Sequence, residues 1–300
     1  MVSATSLPLN ARPAHRLDKA IPLFFLLFIF PSTIHSQTTE DSPQSDSLAA
    51  LSAASILERA LERSLEQEES EIELNFEYSI LSTIHTLDGD GEITETNTSR
   101  SRRFPLEGYL FEEILERDGE TLDEDGIKKE REKKEDFLSK VRSHSEKGEA
   151  YEPDSMDDLG IIFNKELMRR YDVKFVRTET LRGYKCWLLS FQPRPGKLPD
   201  NNRMDKALNQ SAGYLWVAQK DFGVVRVYFE MRRPFRYVWG IVATIRNTTG
   251  QLDFERVDNN MWIPKEIDLK LDLRIFFKNI RRHISQEWLG HQPFQERSLD

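Results

Sequence analysis

The clearest hydrophobic pattern in the chain changes its period near residue 70. Leucines recur every four positions within residues 48–67, which predicts a helix with one apolar face. Apolar and polar residues then alternate from Ile72 to Ile80, which predicts a strand with one wetted face. A turn at Asp88-Gly89-Asp90-Gly91 returns the chain through a second predicted strand, 93–104, and a third strand is expected over 109–117.

Two helices of different character are predicted in the middle of the chain. Residues 123–148 carry opposite charges four positions apart and only a thin apolar stripe. We expect this charged insertion, 123–150 in all, to form a solvated helix, with partner binding as the alternative. Residues 157–170 have a wider apolar face, with acids in the first turn and Arg169 and Arg170 in the last, which predicts a more buried helix.

Beyond residue 171 the pattern is almost entirely that of strands. The predicted strands are 172–182, 184–193, 211–218, 223–232, 235–247, 251–257, 262–273 and 279–288. Most of the connections are short, apart from a proline-rich loop with a short possible helix at 193–210. Such a run of antiparallel strands predicts one large curved sheet or open barrel, in a single domain over 48–290 that is followed by a tail at 291–300.

The first 36 residues have the pattern of an export signal. The apolar run Ile21 to Phe30 follows three basic residues and precedes small polar residues. It is too short to span a bilayer core of ~30 Å as a helix. We expect cleavage after Ser36 and a flexible leader over 37–47, with a retained signal anchor as the alternative.

Charge and cysteine content restrict the partners and the means of stabilisation. The formal net charge is −9, so the chain is not expected to bind nucleic acid by bulk electrostatics. The single cysteine, Cys186, allows no internal disulfide, and its strand-like surroundings predict a buried, small apolar residue. A hydrophobic core must therefore stabilise the fold, and about 260 residues are enough to form one. We expect a monomer.

Residues with catalytic potential are present, but they do not form a recognisable motif. The four histidines beyond the predicted export signal have no zinc-ligand spacing, and no P-loop, nucleophile elbow or dinucleotide-binding glycine motif occurs. In the acidic turn, Ile93 and Ser99 occupy the positions where a calcium loop of the EF-hand type needs glycine and a bidentate acid. We expect no enzyme activity, metal or cofactor; an unrecognised envelope hydrolase is the remaining alternative.

Two groups of residues in the predicted strands indicate a protein that binds a ligand or a partner. If helices do not fill the concave face of the sheet, an apolar cavity remains there. The predicted ligand-facing residues are Phe76, Tyr78, Trp216, Phe229 and Leu271. A predicted basic rim comprises Arg232, Arg233, Arg236, Arg281 and Arg282. We expect the rim to be a solvated sheet edge that blocks edge-to-edge association; the alternative is a surface for phosphate headgroups or an acidic partner.

Several local motifs accompany this order of elements. They are Phe104-Pro105-Leu106-Glu107-Gly108-Tyr109, Glu116-Arg117-Asp118-Gly119, Phe191-Gln192-Pro193-Arg194-Pro195-Gly196, Gly213-Tyr214-Leu215-Trp216-Val217 and Met261-Trp262-Ile263-Pro264. With them, roughly residues 48–290 resemble the periplasmic outer-membrane lipoprotein carriers and the lipoprotein-sorting proteins related to them, a LolA-like family.

The resemblance implies a mainly β (α+β) fold, in which a large curved antiparallel sheet forms an open β-barrel with a helical lid. The predicted helices 48–67 and 157–170 would form that lid. It also implies a periplasmic, non-catalytic carrier of lipid or lipoprotein acyl chains. Each CH₂ group of an acyl chain that is buried adds about 0.8 kcal/mol to the free energy of binding. The charged insertion is longer than a plain carrier needs. An envelope interaction or sensor module, which contacts membrane proteins through 123–148 or the basic rim, is therefore the alternative.

Overall fold

The computed structural model describes residues 51–148, 151, 169–200, 203–239, 241–257, 261–276 and 278–295. The predicted export signal, the leader and most of the predicted helix 157–170 lie outside these residues. The helices are α1 (Ala53–Glu69), α2 (Glu124–Lys147) and α3 (Arg203–Leu208), and a 3-10 helix spans Ile72–Asn75. No helix within the described ranges has both the length and the hydropathy needed to cross a bilayer.

Within the described ranges, twelve strands form one antiparallel sheet. They are β1 (Phe76–Leu87), β2 (Ile93–Leu106), β3 (Tyr109–Arg117), β4 (Glu120–Thr121), β5 (Tyr171–Leu181), β6 (Tyr184–Pro193), β7 (Ser211–Ala218), β8 (Val224–Met231), β9 (Phe235–Trp239), β10 (Ile241–Arg256), β11 (Trp262–Ile275) and β12 (Lys278–Pro293). The spatial order is β4-β3-β2-β1-β12-β11-β10-β8-β7-β6-β5, with β9 paired to the first part of β10.

The sheet does not close into a complete barrel. Its first and last long strands, β1 and β12, are neighbours near the middle, with Ile80 opposite Trp288. The two ends of the strand order are β4 and β5, and no ladder joins them in the described part of the chain. This confirms the predicted fold class, a large, unclosed antiparallel sheet with few helices.

Helix α1 packs against one face of the sheet, which we call the α1 face. Ile56 and Ala60 are buried there among residues from seven strands. The strand members of this cluster are Tyr78, Ile80, Leu189, Leu215, Val217, Val227, Leu252, Ile267 and Trp288. The side-chain amide of Gln67 donates to the Trp262 carbonyl and accepts from the Trp262 N–H, both at 2.8 Å. These two bonds fix the last turns of α1 to the start of β11.

Helix α2 lies on the opposite face, which we call the α2 face. Tyr78 is opposite Arg103 in the β1–β2 ladder, so Phe104, the next residue along β2, points to the other side. Phe104 is paired with Phe111, and the Phe111 ring centroid is 5.0 Å from that of Phe137 in α2. The two long described helices are therefore separated by the sheet, a placement that the sequence pattern did not predict.

The charged segment forms a helix with well-defined ends, as predicted. The Asp123 carboxylate accepts the Gly126 amide at 2.8 Å, and Gly148 ends the helix in the left-handed conformation. Glu130 is buried, and its carboxylate accepts the Ile114 amide at 3.1 Å. This bond satisfies a donor on the outer side of β3, near the end of the sheet.

One predicted strand boundary is wrong. The chain was expected to turn at 248–250 between two strands, but β10 runs through that point and the break lies between β9 and β10. Gly250 sits beneath the Phe229 ring, where a Cβ would lie 2.4 Å from the ring carbons. This glycine therefore admits a neighbouring aromatic side chain and does not make a turn.

Two local predictions are confirmed. Cys186 is a free, fully buried thiol, and burial raises its pKa to about 11. Asp88 closes the β1–β2 turn, since its carboxylate accepts the amides of Asp90 at 2.9 Å and Glu92 at 3.0 Å. These bonds, with that from Glu92 the largest cause, lower the pKa of the Asp88 carboxyl.

Candidate ligand-binding face

Cross-strand register arranges the apolar side chains of the α1 face in continuous rows. One row consists of Phe175, Leu189, Leu215, Val227, Leu252 and Ile267, each paired with the next. The next row is Val173, Phe191, Gly213, Phe229, Gly250, Leu269, Ile284 and Ile84. Since side chains that face each other in a ladder lie on one side of a sheet, the second row extends an apolar surface across eight neighbouring strands.

Four of the predicted ligand-facing residues lie on this face. Tyr78 is buried in the central cluster, and Phe229 packs against that cluster. Phe76 lies two residues before Tyr78 on β1, and Leu271 two residues beyond Leu269 on β11, so both share the face by alternation. Both are half-buried.

The fifth predicted residue, Trp216, is not brought to this face. Leu215 and Val217 occupy the α1 face, so the Trp216 ring lies on the other side of β7. Its Nε1 donates to the Glu179 carboxylate at 2.5 Å, and the Arg226 guanidinium lies 5.8 Å from the ring centroid. Because the strand is apolar on both sides, alternation in the sequence could not assign its faces.

The residues predicted as a basic rim separate into two groups. Three are exposed around the start of β9: Arg232, Arg233 and Arg236. The other two are half-buried on β12. Arg281 donates to the Asp88 carbonyl at 3.1 Å and so holds the β1–β2 turn. Arg282 lies opposite Leu271, on the α1 face.

A polar cluster borders the central apolar cluster near the start of β1. Arg103 lies opposite Tyr78 in the β1–β2 ladder, and the Tyr78 ring stacks on His291 with centroids 4.6 Å apart. The β1–β12 register shifts at this point, where Gly290 has a φ of 66°. This bulge brings His291 to the same face as Trp288, three residues earlier on β12.

Burial determines the charge states in this cluster. It raises the pKa of Tyr78 to about 12, although the charge of Arg103 acts in the opposite direction. It also raises the pKa of Glu73, again against the effect of Arg103. It lowers the pKa of His291 to about 4, and the charge of Lys265 adds to that shift. Tyr78 and His291 are therefore neutral near pH 7, while Arg103 carries a positive charge.

The remaining histidine pair lies on the α2 face. His283 Nε2 is 2.5 Å from an Asp268 carboxylate oxygen, and the His85 ring centroid is 6.0 Å from that of His283. His85 Nδ1 also hydrogen-bonds to the Thr96 hydroxyl at 2.9 Å. No group of three metal-ligating side chains occurs within the described ranges. The histidine pair does not border the apolar rows.

Comparison with known proteins gives similarities of fold alone. No protein-family model matches the chain, and no curated protein sequence matches it. Among solved structures, a domain described as an outer membrane lipoprotein-sorting protein from Vibrio parahaemolyticus aligns at 10% identity and a TM-score of 0.36. The alignment covers 81% of this chain and 95% of that one.

Two further structures align over similar lengths. A LolA superfamily protein from Nitrosomonas europaea is 13% identical, with a TM-score of 0.32 and coverage of 83% of this chain and 96% of that one. The Pseudomonas aeruginosa MucA/MucB complex aligns at 10% identity and a TM-score of 0.24, covering 81% of this chain and 99% of the other. The lipoprotein-sorting and LolA superfamily proteins are the group that the sequence resembles.

Proposed function

We propose that this chain is a non-catalytic binding or carrier protein of the periplasm, which holds lipid or lipoprotein acyl chains against the α1 face. The observation that carries the proposal is the apolar row that crosses eight strands on that face. A surface of this kind suits an extended apolar ligand, since apolar burial is non-directional and scales with area. We propose that the chain acts as a monomer and as one domain over 48–290.

The part of the face around Leu271 is the proposed contact for the acyl chain. Phe229 and Leu269 pack on the edge of the central cluster, and Leu271 continues the same face in a half-buried position. The Gln67–Trp262 contact anchors α1 at the other end of β11. An acyl chain along Phe229, Leu269 and Leu271 would therefore extend the core that α1 already covers.

Native mass spectrometry of residues 37–300, purified from a periplasm without detergent, tests the proposal. We expect adducts with the mass of a phospholipid or of an acylated peptide. Leu271→Glu should reduce the bound fraction, because it places a charge on the apolar face. Leu81→Glu is the matched control, since Leu81 is 39% exposed on the α2 face. A mass that stays free of adducts after incubation with phospholipid vesicles and with a lipopeptide would contradict the proposal.

The alternative function is an envelope interaction module that uses α2. Its support is that α2 lies on the other side of the sheet from the apolar rows and exposes a long charged surface. Lys128–Glu132 and Asp136–Lys140 pair along this surface at 3.8 Å and 3.2 Å. A chain that binds no amphiphile, but whose cross-links to an envelope protein disappear when Lys128 and Lys140 are changed to Glu, would favour this function.

A further inference from the structure

Buried polar atoms without a hydrogen-bond partner occur at several points on the α1 face. Arg103 is 5% exposed and Trp288 is 1% exposed, so both side chains are almost completely buried. Among the described residues, Arg103 Nε and Nη1 and Trp288 Nε1 have no hydrogen-bond partner. Buried donors in folded proteins are nearly always satisfied, by protein, water or ligand, and an unsatisfied charged group is especially costly.

These donors belong to one neighbourhood on the sheet. Trp288 faces Ile80, and Arg103 faces Tyr78, two residues earlier on β1. Both Tyr78 and Trp288 belong to the central apolar cluster. The orphaned guanidinium atoms and the indole N–H therefore lie where the polar cluster meets the central apolar cluster. Such a boundary suits a ligand with a polar head and an apolar body.

We propose that Arg103 binds the acidic head of an amphiphile, a carboxylate or a phosphate, whose apolar part lies along the α1 face. The proposal rests on the function proposed above and specifies its ligand as an anionic amphiphile. Arginine keeps its positive charge and donates charge-assisted hydrogen bonds to carboxylate and phosphate oxygens. Arg103 Nε and Nη1 lie on different edges of the guanidinium, so each would donate to a separate oxygen, and Trp288 Nε1 is a further orphaned donor on the same face.

Two acidic residues near Arg103 are the groups that would compete with an anionic ligand for its charge. Glu112 faces Arg103 across the β2–β3 ladder, but its carboxylate accepts the Ser101 hydroxyl at 2.6 Å. Glu73 interacts electrostatically with Arg103, and its burial favours the neutral acid because it raises the pKa. A pKa shift in this direction reduces the competition between the Glu73 carboxylate and an anionic ligand for Arg103. Glu73→Gln should therefore retain binding of an acidic amphiphile, whereas an ionised Glu73 that neutralises Arg103 would make that variant bind more tightly.

The test compares dodecyl phosphate with dodecanol, using isothermal titration calorimetry on residues 37–300. We expect Arg103→Met to weaken dodecyl phosphate binding by about ten- to a hundredfold, the effect of losing charged hydrogen bonds, and to leave dodecanol binding unchanged. Arg100→Met is the matched control, because Arg100 lies on the same strand with a half-exposed side chain that pairs with Glu116 at 3.6 Å.

Two further measurements cover the case in which Arg103→Met does not fold and the case in which Arg103 binds a free anion. Trp288→Phe removes one donor and keeps an aromatic ring, so it should weaken dodecyl phosphate alone, and it replaces Arg103→Met if that variant does not fold. Inorganic phosphate distinguishes a free anion from a headgroup. If it binds as tightly as dodecyl phosphate in an Arg103-dependent way, the headgroup assignment is overturned.

The failures of the two proposals are distinguishable. If the unmodified chain binds neither dodecyl phosphate nor dodecanol, the carrier function fails. If it binds both, and Arg103→Met and Trp288→Phe bind both equally well, the carrier function stands. The assignment of Arg103 is then overturned, because water or a protein side chain satisfies its donors.

Discussion

The helices α1 and α2 differ in what they contribute to the same sheet. The shorter helix, α1, buries Ile56 and Ala60 against residues from both halves of the sheet. The longer helix, α2, has 24 residues, of which the buried ones are Glu130 and Val141. Helix α1 is thus part of the central core, while α2 covers one end of the sheet on the opposite side.

The difference shows two ways in which a helix is stabilised. In folded proteins most helical stability comes from packing of an apolar face, so α1, with 17 residues, depends heavily on its contacts with the sheet. Helix α2 adds local stabilisation, with a capped start, a left-handed glycine at its end and ion pairs along its surface. Loss of packing should therefore damage α1, and loss of a cap should damage α2.

The largest expected effect comes from truncating the apolar face of α1. Ile56 is 1% exposed, so Ile56→Ala should lower the free energy of unfolding by about 2–5 kcal/mol through lost transfer energy and a cavity. The matched change in α2 is Ile127→Ala, at a residue that is 49% exposed, and it should cost less than about 0.5 kcal/mol. Urea denaturation measures both; equal losses would show that α2 carries as much of the core as α1.

A smaller effect is expected when α2 loses its N-cap. Asp123→Ala removes the bond to the Gly126 amide and should destabilise the helix by about 1 kcal/mol. Because α2 is held at one end of the sheet, we expect faster amide hydrogen exchange in its first turns and little change in that of α1. Asp125→Ala controls for loss of a first-turn charge without loss of the cap. Faster exchange throughout the sheet would contradict this separation.

The last effect, which is small at neutral pH and grows as pH falls, concerns the burial of His291 on the α1 face. Its folded-state pKa, about 4, lies below the unfolded value, so the unfolded chain binds this proton first as pH falls. His291 should therefore reduce stability progressively between about pH 6.5 and pH 4, with no further loss below. His291→Gln should flatten that part of the pH–stability curve. A curve unchanged by His291→Gln would show that the ring is solvated.

Local patterns in the sequence predicted the elements better than their faces. The change of period near residue 70, the Asp88–Gly91 turn and the charged helix all depend on near neighbours, so they could be predicted. The sides of the sheet taken by α2 and Trp216 depend on register between strands that are distant in sequence. In β7 both faces carry apolar residues, so the sequence shows no alternation of apolar and polar residues from which the buried face could be identified.

The polar cluster could not be predicted for the same reason. Arg100, Arg102 and Arg103 lie within four residues of one another and look equivalent in the sequence. Pairing with Tyr78 sends Arg103 to the buried α1 face. Arg102, one residue earlier, forms an ion pair with Glu77 on the other side. Only the pairing of β2 with β1 shows which of these arginines is buried on the α1 face.

The pairing of β1 with β12 also has a consequence for the order of folding. Ser82 and Gln286 hydrogen-bond to each other across this ladder, although they are 204 residues apart in the sequence. Contacts of such long range form slowly, since the loop-closure entropy must be lost before the contacts are gained. The middle of the sheet therefore cannot be completed until the last strand has been synthesised. Until then β1 and its apolar residues lack a partner on one side, and unpaired strand edges of this kind favour aggregation of the nascent chain.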